Sequence, residues 1–99
     1  MTGADSLPDF ALWTRALQDH GQCLPCLVLD RERFLANLAL ARSRVQSGTG
    51  VRVVAKSLAA LPLLDLAVQE LGALGVMTFS AAMLHSLLQA RPELDHLMG

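Results

Sequence analysis

The only lysine of the chain, Lys56, directly follows a β-branched run, Val51-Arg52-Val53-Val54-Ala55. A lysine drawn partly out of water has its ammonium form disfavoured, so its amine becomes available to attack an aldehyde and form a Schiff base. Arginine cannot take that role because its guanidinium stays protonated, and the other seven basic residues are all arginine. In α/β architectures ligands gather at the carboxyl ends of strands, and Lys56 stands at such an end. Taken alone, a strand-end lysine is more often a solvated cap than a catalyst.

The other chemistry-bearing residues have plainer readings. Cys23-Leu24-Pro25-Cys26 has the CxxC spacing of a dithiol. A redox pair, however, needs a helix N-terminus or a cation to stabilise its thiolate, and this one leads into an apolar run. Two reduced thiols are the simple reading, and a disulfide between Cys23 and Cys26 is the redox alternative. No second Cys or His pair completes a zinc site. His20, His85 and His96 fall on a helix end, a helix and a strand, too far apart in sequence to indicate a metal centre. Asp30 reads as a helix cap, and Ser57, Thr78 and Ser80 lie near strand ends, where Ser80 can also cap. Asp95-His96 is too short to mark a catalytic dyad. Gly48-Thr49-Gly50 lacks the third glycine of a dinucleotide loop and lies between a helix and a strand, so it is a turn. Trp13 reads as a packing residue.

The elements that must position Lys56 follow from periodicity. Phe10, Trp13 and Leu17 predict a short helix ending near His20-Gly21. Pro25 opens Cys26-Leu27-Val28-Leu29, expected to be a buried strand closed by Asp30. A helix with Phe34, Leu38, Ala41 and Val45 on one face then runs to Gly48-Thr49-Gly50. After the Val51–Ala55 strand, Pro62 starts a helix through Leu63, Leu66, Ala67 and Leu71 that Gly72 ends. Gly75 to Phe79 is the next strand. Ser80 opens a helix with Met83, Leu84, Leu87 and Leu88 inward, ended by Arg91-Pro92, and Leu94 to Met98 begins a fourth strand. This alternation is the pattern of a parallel sheet with right-handed crossovers, βαβαβαβ, the opening of a partial TIM-type barrel.

Composition sets the limits. The apolar fraction is 53% and charged residues are only 17%, below the roughly 25% typical of soluble domains. With a mean hydropathy of +0.41, that balance fits part of a larger core with strands covered on both faces. The chain is accordingly expected to be the N-terminal portion of a longer one. A net charge of −1 with scattered arginines offers no stripe for nucleic acid. Asp5 and Asp9 precede any apolar stretch, the wrong order for a secretory signal, so a cytoplasmic protein is expected. The uncharged stretch from Leu71 to Ala90 is interrupted by Gly72, Gly75, Thr78, Ser80, His85, Ser86 and Gln89, which predicts strand plus helix and no membrane span.

Pro25-Cys26-Leu27-Val28-Leu29-Asp30, Asn37 within the following helix, and Val51-Arg52-Val53-Val54-Ala55-Lys56-Ser57 together resemble the opening of the D-threonine aldolase and D-serine dehydratase-like group. That group belongs to the fold type III pyridoxal-phosphate enzymes, the alanine racemase-like barrels. The resemblance runs from about Pro25 to Gly99 and makes residues 1–24 an N-terminal helical arm and 25–99 the first part of a pyridoxal-phosphate-binding barrel. It implies that Lys56 holds pyridoxal 5'-phosphate as a Schiff base and moves protons at the substrate alpha carbon.

The substrate implied is a D-3-hydroxy amino acid, cleaved by an aldolase or dehydrated and deaminated by a dehydratase. Members of the group use a divalent metal bound in a second domain; no ligands for it occur in this chain. A homodimer is implied for the full-length protein. Ser57-Leu58-Ala59-Ala60-Leu61-Pro62 replaces the Ala-Tyr-Gly-type run of an alanine racemase, which places an amino-acid racemase second. A noncatalytic pyridoxal-phosphate-binding module of the same ancestry is the other alternative. One Schiff-base lysine without phosphate clamps leaves these residues alone without turnover.

Overall fold

Among the described residues three helices begin at a short polar cap, and the other carries a proline in its first turn. The structure, a computed structural model, describes residues 7–22, 25–57 and 59–99. Asp9 caps α1 (Phe10–Asp19), its Oδ1 accepting the backbone N–H of Leu12 at 3.0 Å. Asp30 caps α2 (Arg31–Ser43) in the same way, accepting the N–H of Arg33 at 3.1 Å. Pro62 lies in the first turn of α3 (Leu61–Leu71), and Gly72 ends that helix at a left-handed φ of 61°. Ser80 caps α4 (Ala81–Ala90), its Oγ accepting the N–H of Met83 at 3.1 Å.

The chain divides into two compact units, Met1–Asn37 and Leu38–Gly99. In the first, Trp13 meets the ring of Phe10 edge-on with centroids 5.8 Å apart, a packing role as expected. The buried strand expected over Cys26-Leu27-Val28-Leu29 is not formed. These residues are irregular and exposed, with Leu27 fully in solvent. A strand persists only through hydrogen bonds to a neighbour, Pro25 has no N–H to donate, and no described strand lies alongside. The run is apolar enough for a strand, but burial needs a partner that apolarity alone does not provide.

The second unit holds a three-stranded parallel sheet in the order β1-β2-β3, one strand fewer than expected. Its strands are β1 (Arg52–Val54), β2 (Gly75–Thr78) and β3 (Asp95–Met98), with α3 and α4 as the crossovers between them. Arg52 aligns with Gly75 and Gly75 with Asp95; Val54 aligns with Met77 and Met77 with Leu97. Parallel pairing puts aligned residues on the same face, and successive residues on opposite faces. One face carries Ala55, Val76 and Thr78, all essentially inaccessible, against Leu64 and Leu87 of the helices. The other carries Val54, Met77 and Leu97, of which Val54 and Leu97 are nearly half exposed.

The sheet decides which face of each crossover helix is buried. In α3 the fully buried leucine is Leu64, with Ala67 beside it, while Leu63 and Leu66 are half-buried. In α4 Leu87 is buried but Leu88, expected inward, is exposed. An apolar helix has several candidate faces, and the sheet chooses among them.

The end of α4 is tied to α3 by a forked pair: Arg91 Nε donates to Asp65 Oδ1 at 2.8 Å and Nη2 to Oδ2 at 2.5 Å. That hydrogen bond holds the Asp65 carboxyl below the usual carboxylate range, against the opposing effect of burial, and raises the Arg91 guanidinium further. The carbonyl of Arg91 accepts from His96 Nε2 at 2.8 Å, which fastens β3 to the same corner. No described helix is long and apolar enough to cross a membrane, and the stretch from Leu71 to Ala90 resolves into the end of α3, β2 and α4.

Candidate functional site

Lys56 leaves the sheet at the carboxyl end of β1, two residues beyond Val54. The ladder continues past the strand itself, with the N–H of Ala55 donating to the carbonyl of Met77 at 2.9 Å. Ala55 is buried against the helices, so alternation turns Lys56 to the opposite, uncovered face. The same offset between β1 and β2 aligns Lys56 with Phe79. Lys56 Nζ indeed stands over the Phe79 ring, 5.0 Å from its centroid.

The surroundings of the amine are apolar. Lys56 is exposed, and among the described residues no carboxylate forms an ion pair with it. The partial withdrawal from water expected for a reactive lysine is therefore absent in this chain; the aromatic face, which attracts the ammonium, is its neighbour instead. Val54, Met77, Leu97 and Phe79 lie on the same side of the sheet.

Of the other candidates, Ser57 follows Lys56 directly at this rim and is exposed. Thr78 is fully buried on the helix side, its hydroxyl donating toward Met98 Sδ at 3.7 Å, and so lies on the opposite face of the sheet from Lys56. Ser80 is committed to capping α4, and Asp30 to capping α2 with an ion pair to Arg33. His20 lies at the end of α1, His85 in α4 and His96 in β3. No group of three metal-ligating residues occurs among the described residues. Cys26 is a free, exposed thiol, while the dithiol reading also involves Cys23, which lies outside the described residues.

Arg52 stands at the other rim. It crosses Gly75 to reach Asp95, with Nη2 2.7 Å from Oδ1, and Nη1 donates to the carbonyls of Val76 and Asp95 at 3.0 Å. That arginine is occupied in tying three strand beginnings together and is remote from the carboxyl ends.

The sequence reading found Lys56 and gave no role to Phe79. The register of two parallel strands places the residue after β2 beside the residue after β1, and no local sequence signal gives that offset. Pyridoxal phosphate has three chemical ends: an aldehyde, a phosphate and a ring nitrogen. The exposed amine on the uncovered face fits the aldehyde, and the flat ring beside it leaves that approach apolar. Comparisons with family models, with curated proteins and with solved structures returned no match to this chain.

Proposed function

We propose that this chain forms the first strands of a fold type III, barrel-class pyridoxal-phosphate enzyme acting on D-3-hydroxy amino acids, of the aldolase or dehydratase type. The observation that carries the reading is the position of the chain's only lysine at the carboxyl end of a parallel strand, exposed on the face that no helix covers. On this reading the uncovered face of the sheet is the inside of the barrel, where catalytic groups project from strand ends.

Pyridoxal phosphate, when bound, acts as the electron sink that weakens bonds at the alpha carbon of an amino acid. The protein's own part is narrower. Lys56 would supply the amine that holds the cofactor's aldehyde, and would take or return the proton at the substrate's alpha carbon. Val54, Met77 and Leu97 lie on the same face of the sheet as Lys56 and give that face an apolar character. Dimerisation and a metal in a second domain belong to the same proposal.

The test uses the sole lysine. Pyridoxal phosphate added to the chain, followed by borohydride, should leave a stable adduct whose mass maps to the peptide containing Lys56. Lys56→Ala and Lys56→Arg should both abolish it, leaving at most labelling of the amino terminus. Labelling confined to the amino terminus in the unaltered chain would sink the assignment.

A further inference from the structure

We propose that Phe79 is a positioning residue for Lys56: its ring holds the ammonium on the uncovered face and withholds the amine from reaction until it leaves the ring. This rests on Lys56 being the cofactor lysine. The contact is a product of register. The N–H of Ala55 donates to the carbonyl of Met77 at 2.9 Å and the N–H of Gly99 to the carbonyl of Thr78 at 2.7 Å, so both ladders run one step past the strands. Continuing each offset makes Lys56, Phe79 and Gly99 a single row across the three strand ends.

Each member of the row has a physical part. Nζ stands 5.0 Å from the ring centroid, inside the about 6 Å over which a ring attracts a cation. Among the described residues no carboxylate competes for it. A Cβ at Gly99 would meet Met77 Cε first and then the ring, 2.8 Å from Phe79 Cε1 and 3.2 Å from Cδ1. A side chain at residue 99 therefore crowds both Met77 and the ring that stands under the amine. The contact holds the end of the Lys56 side chain against the ring, so its removal should free the side chain and speed attack by Lys56 about two- to fivefold.

The experiment takes the whole chain and trinitrobenzenesulfonate at one near-neutral pH, with the amino terminus as internal standard and labelling read by peptide mass. Phe79→Leu should label Lys56 about two- to fivefold faster than the unaltered chain, on the energy scale of an exposed cation–ring contact. Phe79→Tyr, which keeps a ring, should label at the original rate, and Gly99→Ala should move toward the leucine variant. The ε-methylene protons of Lys56 should resonate upfield in the unaltered chain and return downfield in Phe79→Leu.

Equal rates for the leucine variant and the original, or a tyrosine variant that behaves like leucine, would overturn the proposal. Where circular dichroism shows the leucine variant unfolded, Gly99→Ala decides: an unchanged rate overturns the proposal and a raised rate supports it. The pyridoxal-phosphate arm separates the two claims. An adduct on Lys56 with labelling indifferent to Phe79 removes the positioning role alone, whereas labelling that follows the ring with no adduct removes the cofactor reading.

Discussion

At the residue scale, two positions of the sheet depend on having no side chain or one particular side chain. Gly75 lies between Arg52 and Asp95, and a Cβ built on it would collide with the backbone carbonyl oxygen of Asp95. Backbone cannot swing aside as a side chain does, so β2 and β3 would have to part. Gly75→Ala should therefore destabilise the chain by about 1–3 kcal/mol, the usual cost of overpacking, visible as a lower denaturant midpoint; an unmoved midpoint would show that the strands accommodate it. Lys56 is the opposite case: on the proposed reading only its side chain has the nucleophile the cofactor needs, and its replacement should remove cofactor labelling without unfolding the chain, because it is exposed.

At the element scale, the corner where α4 meets α3 is held by the Arg91–Asp65 fork and by His96 bonded to the carbonyl of Arg91. The hydrogen bond from Arg91 lowers the Asp65 pKa from the ordinary 3.8. A carboxyl lowered by folding contributes stability that is fully present above its unfolded value and is lost as the pH falls through the folded one. Acid titration of stability should thus show a loss below about pH 4 that Asp65→Asn makes shallower, while the variant is less stable at neutral pH. Parallel acid slopes for the two chains would show that the fork does not respond to protonation. Arg91→Lys keeps the charge and loses the two-pronged geometry, so it should behave like the asparagine variant at neutral pH.

At the scale of the whole molecule, the core of the second unit is thin. Ala55, Leu64, Val76 and Leu87 are its buried members, with Val53, Leu61, Val68, Met83 and Leu94 packed around them. Leu64 is wholly inaccessible. Leu64→Ala should cost about 2–5 kcal/mol, a large part of the ~5–15 kcal/mol that holds an ordinary domain together. A chain with so little core should lose its cooperative thermal transition altogether. Retention of a sharp transition near the original temperature would mean that the stability resides elsewhere.

Local chemistry was legible in the sequence wherever one residue or one spacing suffices. Asp30 and Ser80 as caps, Pro62 as a helix start, Gly72 as a helix stop and Lys56 at a strand end were all readable, because each obeys a rule that operates within a few residues. The parallel α/β character followed from alternation of such elements. What needed the third dimension was everything decided by a neighbour distant in sequence. Cys26 to Leu29 is apolar enough for a strand yet forms none, since a strand needs hydrogen bonds from outside itself. Leu64 and not Leu63 is buried, and Leu88 is exposed, because the sheet selects which side of an apolar helix it covers. Phe79 comes under Lys56 only through the register of two strands joined by α3, and no pattern within either segment encodes that offset.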